Sequence, residues 1–242
     1  MEEKYLAVIE SICNKIKKRD IYYKGDLVGI LLTGSVAQGR NHPHSDLDID
    51  IIVNEETHSK MHICQTCKDI IVQIQIYSFS QFVSACMKHE RTRPASYACK
   101  LLYDPYGQCG YYLERSAKYL EEGPVKLNEL EKQIMGAKLK TELSTAESLV
   151  LIGHDISAMI IADEMLQLAI SYYNDTNNYW MTNNNYLFEE LAKHDSELGA
   201  MAEQIIFCRE AKQKINMLKK FCRRVIVNFD EIKIEYCYEE TL

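Results

Sequence analysis

The stretch LLTGSVAQGRNHPHSDLDIDIIV, residues 31–53, decides the fold of the first half of the chain. It continues the apolar run DLVGILLTG, residues 26–34, which is typical of a buried strand that ends at a glycine. After the Gly34-Ser35 turn, acidic and apolar side chains alternate from Asp46 to Ile51. This alternation predicts a second strand with one apolar face and one acidic face.

The acidic face of this strand requires a counter-charge. Asp46, Asp48 and Asp50 point to the same side, because side chains alternate across a strand. Their mutual repulsion must be offset, and no Lys or Arg lies between Arg40 and Asp50. Carboxylates suit Mg²⁺, which proteins usually hold with one or two carboxylates and substrate phosphates. We therefore expect a Mg²⁺ site here.

The Gly34-Ser35 turn offers the partners that a phosphate group needs. Glycine lets the backbone approach a phosphate closely, and the Ser35 hydroxyl and nearby amides can donate to it. Arg40, in the loop that follows, is a further candidate for contact with phosphate. An acidic edge strand that only resists aggregation is the alternative. The conjunction of turn and acidic strand favours a site for a nucleoside triphosphate and its metal.

The segment TGSVAQGRNHPHSDLDIDIIV, residues 33–53, resembles the signature of the DNA polymerase β-like nucleotidyltransferase superfamily: Gly-Ser, a gap, then Asp-x-Asp or Asp-x-Glu. The resemblance implies that Gly34 and Ser35 contact the nucleotide phosphates. It also implies that Asp46 and Asp48 are the catalytic, metal-binding carboxylates. Asp50 is additional to the signature.

The chain as a whole predicts an α+β protein, with a mixed β-sheet nucleotidyltransferase domain over residues 1–110. Another alternating strand, IIVQIQIY at residues 70–77, precedes a helix that Ser78 caps. Helical periodicity then predicts a bundle of about four helices over residues 111–242, broken by an Asn-rich loop at residues 171–186. We expect this bundle to bind the acceptor or to form a dimer.

The chain differs from the superfamily pattern on one strand, and it offers two candidates for the general base. Many members carry a third carboxylate on the strand that follows the Asp-x-Asp strand, where this chain offers Gln73 and Gln75. A neutral amide is a poor Mg²⁺ ligand and cannot act as a base. In the kanamycin type the base is a glutamate on the first helix of the C-terminal half, which implies Glu142 as a catalytic residue here, with Glu147 as second choice.

The order of elements is similar to that of small antibiotic nucleotidyltransferases of the kanamycin type. This resemblance implies an enzyme of the EC 2.7.7 type that uses Mg²⁺ and a nucleoside triphosphate, with ATP first. The acceptor would be a hydroxyl of a small molecule, and the first candidate is an aminoglycoside-like antibiotic. The biological role of the protein would then be antibiotic resistance. It also suggests a homodimer.

Two other readings remain open. The acceptor could be a protein hydroxyl, as in AMPylating nucleotidyltransferase antitoxins, although the long helical half disfavours this. Alternatively, the missing third carboxylate could mark a catalytically degenerate nucleotide-binding module without turnover. Binding of nucleotide without release of pyrophosphate would identify that module.

Charge and composition set outer limits on function. The 242 residues carry a formal net charge of -7, which argues against nucleic acid as a partner, since phosphate contacts need clustered Lys and Arg. No apolar run is long enough for a membrane span, and the N-terminus is unlike a signal peptide, so we expect a cytoplasmic protein. Two interpretations are open for the closely spaced residues His58, His62, Cys64 and Cys67: a zinc site, or an ordinary loop that leads into a strand.

Overall fold

The computed structural model describes residues 3–55, 61–182 and 186–233, and the chain divides into two compact units, Met1–Gly123 and Pro124–Leu242. A helix over residues 108–122 closes the first unit. The predicted division at residues 110 and 111 falls inside this helix, and the contacts place it with the sheet. The reason is that Cys109 is fully buried against the strand residue Gly29, which fixes the start of the helix to the first unit.

The first unit is built on a mixed sheet of five strands in the order β3-β4-β2-β1-β5. The strands are β1 (Leu27–Thr33), β2 (Leu47–Val53), β3 (Met61–Cys67), β4 (Ile70–Ser78) and β5 (Lys100–Tyr103). The helices are α1 (Glu3–Lys17), α2 (Gly34–Gln38), α3 (Phe79–Met87) and α4 (Gln108–Glu122). Strands β2 and β4 are parallel and the other pairs are antiparallel. The predicted α+β class, with a mixed sheet followed by helices, is confirmed.

The two faces of the sheet have different environments. One face packs on α1 through apolar residues that alternate along β2 and β4, namely Leu47, Ile49, Ile51, Val72, Ile74 and Ile76. The other face carries the acidic and amide side chains of the same strands, Asp48, Asp50, Gln73 and Gln75, which are half-buried. Part of this second face is covered by α3 and α4 over a smaller apolar cluster. The alternation in the sequence therefore places the functional candidates on one face.

Helix α3 begins where the sequence predicts. The Ser78 hydroxyl accepts a hydrogen bond from the backbone N–H of Gln81, and the Gln81 side chain accepts one from the Ser78 N–H. This reciprocal pair satisfies two N–H groups that would otherwise lack a helical partner. The prediction that Ser78 caps this helix is confirmed.

The segment that precedes β4 differs from the predicted loop. His62, Cys64 and Cys67 belong to the edge strand β3, which forms an antiparallel hairpin with β4, while His58 lies outside the described residues. Cys67 lies an odd number of residues from the other two, so it projects from the opposite face of the strand. Across the described ranges, no group of three or more His, Cys, Asp or Glu side chains is arranged to hold a metal ion.

The second unit is helical. Its helices are α5 (Glu129–Leu151), α6 (Asp155–Thr176), α7 (Leu187–His194), α8 (Ser196–Phe207) and α9 (Ala211–Val225). Five helices thus occupy the described part of this unit, where about four were predicted. Helix α6 also continues to Thr176, into the predicted Asn-rich loop, because Ala169, Ile170 and Asn174 remain buried at helical spacing.

The core of the second unit joins α5, α6 and α9, and Leu143, Leu166 and Leu218 are among its fully buried side chains. An ion pair joins α9 to α6, where Nζ of the buried Lys214 lies 2.6 Å from Oδ1 of the partly exposed Asp163. Among the described residues, none of the helices combines the length and apolar character that a membrane span requires.

Two truncations on helix α6 test this core. We expect Leu166→Ala to lower the free energy of unfolding of the second unit by about 2–5 kcal/mol, because it leaves a cavity at a fully buried position. Ile160→Ala, at a position 56% exposed on the same helix, should change it by less than about 0.5 kcal/mol. The single tryptophan, Trp180, lies in this unit and reports its urea denaturation by fluorescence. Equal effects of the two changes would contradict the packing described here.

Candidate functional site

The pairing of β1 with β2 brings the Gly34-Ser35 turn against the acidic strand. Thr33, the last residue of β1, pairs with Asp48, so Gly34 follows directly beside this carboxylate. A Cβ atom built on Gly34 would lie 2.9 Å from Asp48 Cγ and would overlap Oδ2. Gly34 also has a φ of +68°, in the left-handed region that favours glycine. Only glycine satisfies both requirements, and the two predicted halves of the site are in contact.

The turn is tied to the residues that follow it. Gly34 and Ser35 open the short helix α2, which ends at Gly39 with a φ of 71°. The Arg40 N–H donates a hydrogen bond to the Ser35 carbonyl oxygen at 2.9 Å. The backbone of Arg40 is therefore held to the same turn as the Ser35 hydroxyl. Gly34, Ser35 and Arg40 are the residues that the sequence predicts to contact phosphate, and the fold places them on one compact segment.

The carboxylates Asp46 and Asp48 are poised to accept a cation. Asp46 lies one residue before β2, and both side chains are half-buried. Burial raises the pKa of Asp48 above its usual range, and the negative charge of Asp46 raises it further, while His62 opposes the shift. The anionic form of Asp48 is thus disfavoured by its surroundings, and a bound cation would stabilise it. This donor set fits Mg²⁺, with the remaining ligands supplied by phosphate oxygens and water.

Gln73 occupies the position where many superfamily members carry a third carboxylate. It pairs with Asp48 across the parallel strands β2 and β4, and its Nε2 donates a hydrogen bond to Asp46 Oδ2. The amide therefore orients Asp46 and leaves the other lone pairs of that carboxylate available. Gln75, two residues later, instead accepts a hydrogen bond of 2.6 Å from the Tyr77 hydroxyl. The two glutamines, equivalent by sequence, have different roles.

Asp50 lies one step further along the same face of β2. Its in-register partner is Gln75, and it lines a cavity together with Tyr77. Arg93, on the loop that follows α3, donates a hydrogen bond of 2.9 Å to the Tyr97 hydroxyl and stacks on the ring of Tyr97.

The predicted base belongs to the other unit. Glu142 is half-buried on α5, and in the described parts of the chain it has no ion-pair partner. Glu147, the second choice, forms an ion pair with Lys219 on α9. That engagement removes Glu147 from ready proton transfer and leaves Glu142 as the better candidate. Its role as the base stays a prediction.

Sequence reasoning missed two contributors to this site. The hydrogen bond from Gln73 to Asp46 depends on the parallel register of β2 and β4, which is not encoded locally. His62 lies on the edge strand beside Gln75, and its side chain opposes the rise in the pKa of Asp48. The available signal was the alternation in IIVQIQIY, which put Gln73 on the polar face without identifying its partner.

Residues 10–92 match the family model described as the nucleotidyltransferase domain. Over these residues the first unit is similar to a nucleotidyltransferase domain. The matched range runs from α1 past α3 and includes Gly34, Ser35, Asp46, Asp48 and Gln73. The predicted place in the DNA polymerase β-like superfamily is thereby confirmed, whereas the antibiotic-type subgroup stays a prediction.

The fold extends this likeness beyond the matched range. A solved nucleotidyltransferase-like protein from Exiguobacterium sibiricum 255-15 is similar, with a TM-score of 0.52 over 90% of this chain and 74% of that chain. The two sequences are 12% identical, so this likeness concerns the fold alone. No curated protein matches the chain in sequence.

A pair of glycine substitutions tests the contact between turn and carboxylate. Gly34→Ala should weaken binding of Mg²⁺·ATP by at least about tenfold. The new methyl group displaces the Asp48 carboxylate, and alanine is strained at the positive φ of this position. Gly39→Ala carries the same backbone strain at a φ of +71°, but a Cβ there meets nothing within 4 Å. It should bind nearly as well as the native chain in isothermal titration calorimetry. Equal losses would show that only backbone strain matters.

A second pair tests the orienting role of Gln73. Gln73→Met keeps the size of the side chain and removes the donor to Asp46. It should weaken binding of Mg²⁺·ATP about three- to tenfold, which is less than the full contribution of a hydrogen bond to a charged group. Gln75→Met makes the same change on the same face, away from Asp46, and should leave the Kd within about twofold. The same calorimetric titration measures both, and a larger effect at Gln75 would refute the assignment.

Proposed function

We propose that the chain transfers a nucleoside monophosphate from a Mg²⁺-bound nucleoside triphosphate, ATP first, to a hydroxyl group of a small molecule, with release of pyrophosphate. The observation that carries this proposal is the contact between Gly34 and Asp48 inside the matched domain. This contact supports the proposal because it joins the Gly34-Ser35 turn, our candidate for binding phosphate, to a carboxylate whose surroundings favour a cation. The matched nucleotidyltransferase domain supports nucleotidyl transfer in general.

Each residue of the site has a defined task in this reaction. Asp46 and Asp48 would hold Mg²⁺, and Gln73 keeps Asp46 in position. When bound, the metal neutralises phosphate charge and polarises the bond to the leaving pyrophosphate. The Gly34-Ser35 turn donates hydrogen bonds to the phosphate oxygens. Together these residues align the α-phosphorus for displacement along one axis.

The transfer itself requires one proton acceptor. The acceptor oxygen forms a bond to the α-phosphorus as the bond to the bridging oxygen breaks, and pyrophosphate leaves with that electron pair. The hydroxyl proton passes to the Glu142 carboxylate, which acts as the general base. This assignment is supported by the half-buried position of Glu142 and by the ion pair that engages its rival, Glu147.

The acceptor class follows from charge. The net charge of -7 favours a cationic acceptor over nucleic acid, and an aminoglycoside-like antibiotic is the first class to test. Two acidic side chains of the helical unit are already neutralised, however, since Asp163 pairs with Lys214 and Glu147 pairs with Lys219. The helical unit remains our candidate for acceptor binding or for dimer formation.

A second candidate function rests on Gln73. Because an amide replaces the third carboxylate, the chain could bind Mg²⁺·NTP without turnover, as a degenerate module. A protein hydroxyl as acceptor, as in AMPylating antitoxins, is the third reading. All three predict binding of nucleotide and differ in what releases pyrophosphate.

Release of pyrophosphate discriminates these readings. ATP, GTP, CTP and UTP are each tested with Mg²⁺ and a panel of aminoglycosides and lincosamides. We expect release that depends on one acceptor class, and Asp48→Asn should lower it by at least about 100-fold, the scale on which loss of a charged contact to the transition state acts. Asp26→Asn, at a side chain 88% exposed outside the site, is the matched control and should retain activity.

Two outcomes would redirect the proposal. Retained turnover in Asp48→Asn would refute the site. Binding of Mg²⁺·ATP with no release for any small acceptor would favour the protein acceptor or the degenerate module.

A further inference from the structure

A cavity in the helical unit lies apart from every residue that the proposed reaction uses. It runs along one face of α6, and Met181, Thr182 and Leu187 contribute further to its lining. Its volume is about 290 Å³. Sites for small organic molecules typically measure about 300–1,000 Å³, so this cavity suits a ligand at the small end of that range.

Helix α6 presents hydrogen-bonding side chains to this cavity at helical spacing. Gln167, Ser171 and Asn174 follow one another at intervals of four and three residues, which places them on one face of the helix. Glu164 lies one turn before Ser171 and Gln167 on the same side and also lines the cavity. With a rise of roughly 1.5 Å per residue, the row from Glu164 to Asn174 extends about 15 Å. The cavity therefore offers several points of attachment in a row.

Asn174 is the residue on which the inference depends. Its side chain is 3% exposed, and its Oδ1 atom is buried without a hydrogen-bond partner. Across the residues that the structure describes, its Nδ2 atom also has no partner. Buried polar groups are nearly always hydrogen-bonded, because an unsatisfied one lowers stability. An unpaired amide in the wall of a cavity therefore points to a bound molecule that supplies the missing hydrogen bond.

The polar groups of the cavity both donate and accept hydrogen bonds. Rotation of the Asn174 amide about χ2 exchanges its oxygen and nitrogen without breaking a hydrogen bond to another described residue. Gln167, Ser171 and Thr182 likewise carry groups that donate and accept. The Ser171 hydroxyl donates only to Met181 Sδ at 3.8 Å, and a thioether is a weak acceptor. Hydroxyl groups of a ligand match such a lining, because each of them also donates and accepts.

The charge of the lining disfavours an anionic ligand. Glu164 is the one ionisable side chain among the described residues that line the cavity, and it is exposed. An anion would thus meet a carboxylate and no basic side chain there. Leu168, Met181 and Leu187 add apolar surface against which the C–H groups of a ligand can pack. These properties together suit an uncharged molecule with several hydroxyl groups on a small carbon frame.

We propose that this cavity is a binding site for a small uncharged polyol. The Asn174 amide is its buried anchor, and Gln167 and Ser171 bind further hydroxyl groups along α6. The C–H groups of the polyol pack on Leu168 and Met181. The inference goes beyond the proposed reaction, because it concerns binding to the second unit and holds whether or not the polyol is the acceptor.

Binding of myo-inositol to the full chain, without nucleotide, tests the site. Two rings of similar size are compared with it: cyclohexanol has a single hydroxyl group, and quinate carries a carboxylate. The readout is a saturable change in the fluorescence of Trp180, the single tryptophan, which directly precedes Met181. We expect myo-inositol to bind at least about fivefold more tightly than cyclohexanol, which makes fewer hydrogen bonds, and at least about threefold more tightly than quinate, which Glu164 repels.

A pair of asparagine substitutions locates the binding. Asn174→Leu removes the amide at similar size and should weaken binding of myo-inositol about three- to tenfold. Asn177→Leu makes the same change at an exposed position outside the cavity and should leave the Kd within about twofold. Because the Asn174 amide has no hydrogen bond to another described residue, Asn174→Leu should keep or raise the melting temperature. A lower melting temperature would show that the amide has a structural role instead.

A third variant tests the cavity from an exposed position. Gln167 is exposed and lines the cavity, so Gln167→Phe fills part of the space without disturbing a buried residue. It should weaken binding of myo-inositol at least about threefold and leave the melting temperature within about 2 °C.

Four results would overturn the proposal. Absence of saturable binding would assign the unpaired amide to a trapped water molecule, and equal binding of cyclohexanol would make the site apolar. Equal or tighter binding of quinate would refute the uncharged ligand class, and unchanged binding in Asn174→Leu would refute the anchor. Release of pyrophosphate does not enter this test, so failure of the proposed reaction and failure of the polyol site are distinguishable.

Discussion

The structure of the site depends on one close contact, the backbone of Gly34 against the carboxylate of Asp48. This contact exists because Thr33 and Asp48 pair across β1 and β2, and because glycine alone can occupy the next position. It joins the turn that we propose to bind phosphate to a carboxylate whose pKa is raised by burial and by Asp46. The electrostatic repulsion between the carboxylates of Asp46 and Asp48 is the physical reason to expect a bound cation.

Local sequence patterns predicted the elements that this contact joins. The alternation of acidic and apolar residues in β2 and the Gly34-Ser35 turn are short-range signals, and the fold class followed from them. The hydrogen bond from Gln73 to Asp46 could not be predicted, because it depends on the register between two strands separated by a hairpin. The edge strand β3 was also missed, since its polar residues lack a clear alternation.

The helical half shows a different limit of sequence reasoning. Periodicity located helices but placed their ends poorly, as the continuation of α6 to Thr176 shows. Asparagines in a sequence indicate a loop only on average, and the burial of Asn174 on the core side overrides that tendency. Likewise, helix α4 joins the sheet unit because Cys109 packs against Gly29, a contact that no local pattern reveals.

The alternation along β2 has a consequence for folding as well as for chemistry. A shift of this strand by a single residue against its neighbours would turn Asp48 and Asp50 into the apolar core and expose Ile49 and Ile51. Burying two carboxylates without partners is strongly unfavourable, so the misaligned sheet is excluded. The acidic residues of this strand therefore also select the one strand alignment in which the site can exist.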